Sequence, residues 1–85
     1  MESIIITVTN QSKSYLYDLE VPINVTLSKL KSDIIDAMNG HNPSLRLNAT
    51  DVTLFCNRLG CKLHSDETLE SVGVWNGDYI TILEV

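Results

Sequence analysis

Hydrophobic positions recur along this chain with two periods, and the switch between them divides it into elements. Over residues 3–9, Ile4, Ile6 and Val8 fall on one side and Ser3, Ile5, Thr7 and Thr9 on the other. That period of two marks a half-buried strand, and β-branched residues suit its pleated surface. Residues 10–14 are all polar and fit a hairpin loop of about 4–5 residues. The return strand covers 15–21, with Tyr15, Tyr17, Leu19 and Val21 inward and Leu16, Asp18 and Glu20 outward. Pro22 ends it, because proline has no N–H to give to a ladder.

From Thr26 the period lengthens. Leu27, Leu30, Ile34 and Met38 recur at helical spacing, with Lys29, Lys31, Asp33 and Asp36 mostly on the other side. Thr26 is the expected N-cap, its hydroxyl accepting from an orphan N–H, and Gly40 the expected left-handed C-cap. The result is a helix of roughly thirteen residues, about 20 Å long. In 41–50, Asn42, Pro43 and Asn48 break regular structure, while Leu45 and Leu47 tuck back onto the core. Residues 51–56 read as a third strand, with Val52, Leu54 and Cys56 inward and Thr53 and Phe55 outward. Residues 57–60 turn, 61–63 make a very short fourth strand, and Thr68, Leu69 and Val72 anchor the loop beyond it. Gly77 supplies the positive φ of a tight Asn76-Gly77-Asp78 turn. The last strand follows, Ile80 and Ile82 inward, Tyr79, Thr81 and Leu83 outward. One helix on one face of five strands is an α+β layer arrangement, in which the first and last strands lie parallel at the centre.

Charge narrows the range of partners. The formal charge is −5, from 6 Lys+Arg against 11 Asp+Glu. Such a surface repels phosphate backbones and anionic headgroups, which argues against nucleic acid or a membrane surface as the partner. An apolar share of 44% is that of a globular core, and 85 residues make a single domain, 1–85. No apolar run nears the ~20 residues of a membrane span, so direct membrane insertion is not expected. Residues 1–10 lack the basic start and long apolar stretch of a signal peptide. A cytoplasmic protein is therefore expected, in which the Asn-x-Ser/Thr triplets at 10, 24 and 48 serve turns and caps rather than glycans. In that compartment Cys56 and Cys61 stay reduced, Cys56 packing as a small apolar residue. A C-x4-C pair standing alone is neither a redox motif nor a zinc site.

Candidates for chemistry are few. His41 and His64 stand alone on loops, without a carboxylate or cysteine pattern that names a triad or a metal site. Asp66 and Glu67 are adjacent, and adjacent side chains do not converge on a substrate as a paired acid and base must. A single Gly in an acidic turn is a poor anion cradle, so Asn76-Gly77-Asp78 is read as a turn only. Trp75 is expected as a packed anchor. No catalytic residue, cofactor or metal is expected.

Four separated motifs, in this order, carry a resemblance that covers nearly the whole chain. L-E-V-P at 19–22, T-L-S-K-L-K-S-D-I at 26–34 and D-E-T-L-E-S-V-G-V at 66–74 resemble the ubiquitin-like β-grasp superfold. N-G-D-Y-I-T-I at 76–82, following G-V-W, is similar to the bacterial YukD-like (EsaB) family, whose stand-alone ubiquitin-like domains accompany type VII (ESX-like) secretion systems. The resemblance implies a five-stranded mixed sheet in the order ββαβββ with one helix packed on one face. It also implies a non-catalytic interaction module, an accessory or regulator of the secretion machine, with a membrane-anchored component of that machine as protein partner. Conjugating and sulfur-carrier members of the superfold end in Gly-Gly, whereas this sequence ends Ile82-Leu83-Glu84-Val85, so conjugation is not expected. The rival readings are a modifier or sulfur carrier of the same fold, and a ubiquitin-like domain excised from a larger protein.

In such domains the sheet face opposite the helix is the commonest docking surface. Here that face is expected to carry Phe55 and Thr53 of the third strand, Tyr79, Thr81 and Leu83 of the last, and Ile5 and Thr7 of the first. Apolar residues grouped there would mark an interaction site. Homodimerisation through this face or the short-strand edge is the other binding mode left open by the sequence.

Overall fold

The computed structural model describes residues 2–84. Its strands are β1 (Ser3–Asn10), β2 (Leu16–Pro22), β3 (Val52–Cys56), β4 (Cys61–Lys62) and β5 (Tyr79–Glu84), and its helices α1 (Leu27–His41) and the single turn α2 (Leu69–Val72). The sheet order is β2-β1-β5-β3-β4, with β1 and β5 parallel at the centre and the other neighbours antiparallel. This is the ββαβββ mixed sheet of a β-grasp, as the alternation and the motif order implied.

One face of the sheet packs on α1. Ile6 and Val8 of β1, Leu54 and Cys56 of β3, and Ile80 and Ile82 of β5 are buried against Leu27, Leu30, Ile34, Ile35 and Met38 of the helix. Each such side chain contributes about 1.5–3 kcal/mol when fully buried. Ile35 widens the helical stripe beyond the four positions counted from its spacing, because a helix resting on a flat sheet buries more than one row of side chains. Leu45, Leu47 and Val72 pack on the rim of this core, and Leu69 is fully buried within it.

The ends of α1 differ from the expectation, and tertiary contacts are the reason. Thr26 occupies the N-cap position but makes no side-chain cap bond; its hydroxyl lies 3.3 Å from that of Ser28. The first N–H groups are taken by the loop before α2 instead, Leu27 donating to Glu67 O at 2.7 Å and Ser28 to Ser65 O at 3.0 Å. At the other end Gly40 has no positive φ and remains inside the helix, which runs 15 residues to His41. The Asn42 N–H still donates to Met38 O at 2.9 Å, and the Asn39 amide clasps the backbone of Leu47. The chain leaves the helix at Asn42, whose φ of −141° and ψ of 88° lie outside the helical region, which the residue before Pro43 avoids.

The connection to β3 contains two short 3-10 turns, Pro43–Leu45 and Ala49–Asp51, capped by the side chains of Asn42 and Asn48. Asp51 therefore precedes β3 rather than opening it, and Tyr15 likewise lies just outside β2. The helical turn α2, where only an anchored loop was expected, closes with a capping box: the Thr68 hydroxyl accepts from the Ser71 N–H, and the Ser71 hydroxyl from the Thr68 N–H, both at 3.0 Å. Gly73, at φ +84°, ends the turn in the left-handed region. Glu70 N–H donates to Ile23 O at 3.0 Å, so α2 is fastened to the same segment that leads into α1.

These contacts separate two threonines with similar sequence signals. Thr68→Ala is expected to cost about 1 kcal/mol through its lost cap, whereas Thr26→Ala should stay within about 0.5 kcal/mol. Urea unfolding of both variants checks this, and equal losses would contradict the capping described.

Candidate docking surface

Strand register lays out the sheet face opposite α1 in rows. One row runs Leu16, Thr9, Thr81, Phe55, Lys62 across all five strands. A second carries Asp18, Thr7 and Tyr79; beyond these sit the pairs Glu20–Ile5 and Leu83–Thr53. All seven residues expected on this face are on it, but they are not equally reachable. Ile5 is 49% exposed and Tyr79 48%, whereas Thr7, Thr53, Phe55 and Leu83 are half-buried.

Thr81, expected as a contact, is buried, and so is its neighbour Thr9. Two short side chains in the middle of the row sit between the larger Leu16 and Phe55, and both hydroxyls bond inside the protein. Thr9 donates to Tyr15 O at 2.7 Å and Thr81 to Asn57 Oδ1 at 2.6 Å. They form a floor. Leu16, 57% exposed at the end of this row, belongs with Ile5 and Tyr79 as an apolar side chain in solvent; its outward place in the alternation of β2 was the signal that could have found it.

The turn before β5 ties this face to an ion pair whose carboxylate is buried and whose guanidinium is partly in solvent. Gly77 adopts φ +90°, which L side chains rarely take, and its N–H donates to Ile5 O at 2.7 Å. Asn76 Oδ1 accepts from the Ile5 N–H at 2.7 Å, and the Thr7 N–H donates to Asp78 O at 3.0 Å. The turn thus extends the pairing between β1 and β5. The Asp78 carboxylate is buried and accepts from Arg58 Nε at 2.9 and 3.1 Å, from Arg58 Nη2 at 2.9 Å and from the Trp75 N–H at 2.8 Å. Arg58 Nη2 also donates to Gly73 O at 2.6 Å. Hydrogen bonding to Arg58, helped by the Trp75 N–H, holds the Asp78 carboxyl below the usual aspartate range against the opposing effect of burial. The same bond raises the Arg58 pKa.

Trp75 is not the packed anchor its size suggests. It is 65% exposed, and the Arg58 guanidinium lies 3.9 Å from its ring centroid, a cation–π contact. The smaller Val74 beside it takes the buried place. Trp75 sits between two glycines held at positive φ, Gly73 and Gly77, in a turn outside the strand alternation. That position is the sequence signal for its exposure.

The remaining polar candidates do not gather. His41 stacks on Tyr17 with centroids 5.9 Å apart, while His64 is exposed and its backbone N–H donates to Glu67 Oε1 at 3.1 Å. Cys56 and Cys61 face each other in the β3–β4 register as free thiols, Cys56 buried and Cys61 exposed. Among the described residues, no three His, Cys, Asp or Glu side chains are grouped to hold a metal, and no helix is long and apolar enough to cross a membrane.

The Arg58–Asp78 pair predicts an acid-sensitive contribution to stability. The folded-state pKa of Asp78 is depressed, so this contribution is complete above the unfolded value of about 4. It is lost as pH falls through the folded value. Asp78→Asn should therefore lower the melting temperature at pH 7, and the gap to wild type should narrow progressively below about pH 4. Calorimetry across pH checks this; a gap independent of pH would exclude the pair as its source.

Comparison with known proteins gives a family by sequence and a fold by structure. The family model described as "WXG100 protein secretion system (Wss), protein YukD" matches residues 4–82. Among solved structures, a ubiquitin from Caldiarchaeum subterraneum superposes with a TM-score of 0.77 at 22% identity, covering 99% of this chain and 95% of that one. The ubiquitin-like domain of an Arabidopsis thaliana protein gives 0.76 at 22% identity, covering 99% and 79%. A protein designed on ubiquitin gives 0.74 at 15% identity, covering 96% and 88%. At these identities the likeness concerns the fold, which is the ubiquitin-like β-grasp. No curated protein matches in sequence.

Proposed function

The chain belongs to the YukD family of the WXG100 protein secretion system, and on that premise we propose that it works as a non-catalytic, cytoplasmic interaction module of that machine. Its outer sheet face docks a protein component of the machine, one anchored in the membrane, and the domain acts as an accessory or regulator rather than as cargo. The observation that carries this reading is the placement of Ile5, Leu16 and Tyr79 in solvent on a face whose central threonines are sealed by internal hydrogen bonds. Exposed apolar side chains over a rigid, satisfied floor can transfer to a partner without unfolding anything beneath them, and Tyr is among the residues enriched at interfaces. A non-catalytic role is supported by the engagement of Asp78 and Glu67, which are committed to bonds within the fold.

Secretion in the native host tests the reading. Ile5→Lys and Tyr79→Lys should each leave the fold within about 0.5 kcal/mol of wild type, while the double variant reduces export of WXG100 proteins toward the level of a deletion strain. Because Phe55 is half-buried, Phe55→Asp is expected to lower stability as well and is the less selective probe. Full export by a stably expressed double variant would show that this face is not the docking site.

A further inference from the structure

A second surface lies on the opposite margin of the molecule from the β3–β4 hairpin. β2 is an edge strand. The Thr7 N–H donates to Asp78 O on the β5 side, so alternation directs the backbone groups of Ile4, Ile6 and Val8 toward β2. Their register partners Val21, Leu19 and Tyr17 are therefore the paired residues of β2. Leu16, Asp18 and Glu20 turn their N–H and C=O groups away from the sheet, where a further strand would sit. Pro22, which has no N–H to offer, closes that edge at one end.

Beside this edge runs a groove of about 130 Å³ between β2 and α1, floored by Leu19, Val21, Leu30, Ile34 and Ala37. Asp33 of α1 lies on its rim, and Glu20 borders it from the edge strand with its carboxylate on the outer face. The Asp18 carboxylate accepts from the Thr7 hydroxyl and that of Glu20 from the Ser3 hydroxyl, which draws both back over β1 and leaves the edge open but negative. Lys29, paired with Asp33 at 3.1 Å, offsets one of these charges. A second copy of this chain fits poorly, since two β2 strands laid edge to edge would bring carboxylates toward carboxylates.

We propose that β2 and this groove form a second docking site, which takes an extended segment of a partner protein as a sixth strand. Strand addition supplies main-chain hydrogen bonds, and the alternation of side chains supplies selectivity. Val or Ile at every other position of the segment faces α1 and enters the groove; Lys or Arg between them meets Asp18 and Glu20. Its groove and backbone contacts lie at the edge and on the α1 side, while Asp18 and Glu20 adjoin the outer face beside Thr7 and Ile5.

The probe is the synthetic peptide acetyl-GKVKIKVG-amide, titrated into the isotopically labelled full chain and followed by NMR. The amides of Leu16, Asp18 and Glu20 should shift and gain protection from exchange. Affinity should fall roughly tenfold or more for the peptide with Glu in place of Lys, and likewise for Ala37→Trp, which fills the groove. The Asp18→Lys, Glu20→Lys double variant should reverse the preference and take the Glu peptide. Tyr79→Lys should leave binding unchanged, which separates this site from the outer face. Shifts confined to the Ile5–Tyr79 face would overturn the proposal, as would no binding by about 1 mM. So would a β2 edge already protected in the free protein by concentration-dependent self-association.

Discussion

The parallel pairing of β1 with β5 is the constraint on which this structure rests. It joins Thr7–Asn10 to Tyr79–Ile82, nearly the full length of the chain apart. A parallel pair cannot be closed by a tight turn, and long-range closure must be repaid by contacts elsewhere. α1 supplies most of them by covering Ile6, Val8, Ile80 and Ile82 from one side. The turn at 76–78 then fixes the register, since Asn76, Gly77 and Asp78 all bond to the backbone of β1. Beneath it, the Arg58–Asp78 pair holds the β3–β4 turn against the same loop. With Arg58 partly in solvent, the pair is weak evidence for net stability, but removing Arg58 leaves the buried Asp78 carboxylate without its charged partner.

The same constraint distributes function. With one face closed by the helix, only the other face and the edges are left open to a partner. On the open face the protein has buried its two central threonines and left Ile5, Leu16 and Tyr79 around them. At the β2 edge, carboxylates take the protective role against indiscriminate strand pairing that lysines often fill elsewhere. The acidic balance of the whole chain is therefore not spread evenly: Asp18 and Glu20 bring it to the strand edge that is left open at β2.

Much of this was legible from periodicity. Alternation placed the five strands and the face of nearly every residue in them, and helical spacing found Leu27, Leu30, Ile34 and Met38. What it missed has a common cause. Gly40 and Thr26 carry the local chemistry of helix ends, yet Asn39, Pro43 and the carbonyls of Ser65 and Glu67 decide where and how α1 ends. Trp75 carries the composition of a core residue, yet a turn between two positive-φ glycines points it into solvent under Arg58. Thr81 alternates outward as expected but is buried by its neighbours across the sheet.

The sequence alone thus determined the elements, their order and, through motifs in that order, the β-grasp topology and the family, because hydrophobic period and turn chemistry act over a few residues and need no partner. Only the tertiary structure decided which outward residues are exposed, which donors cap the helix and which backbone groups remain free along β2. Those depend on what lies across the sheet or on a loop some forty residues away, and no local pattern encodes the distance between them.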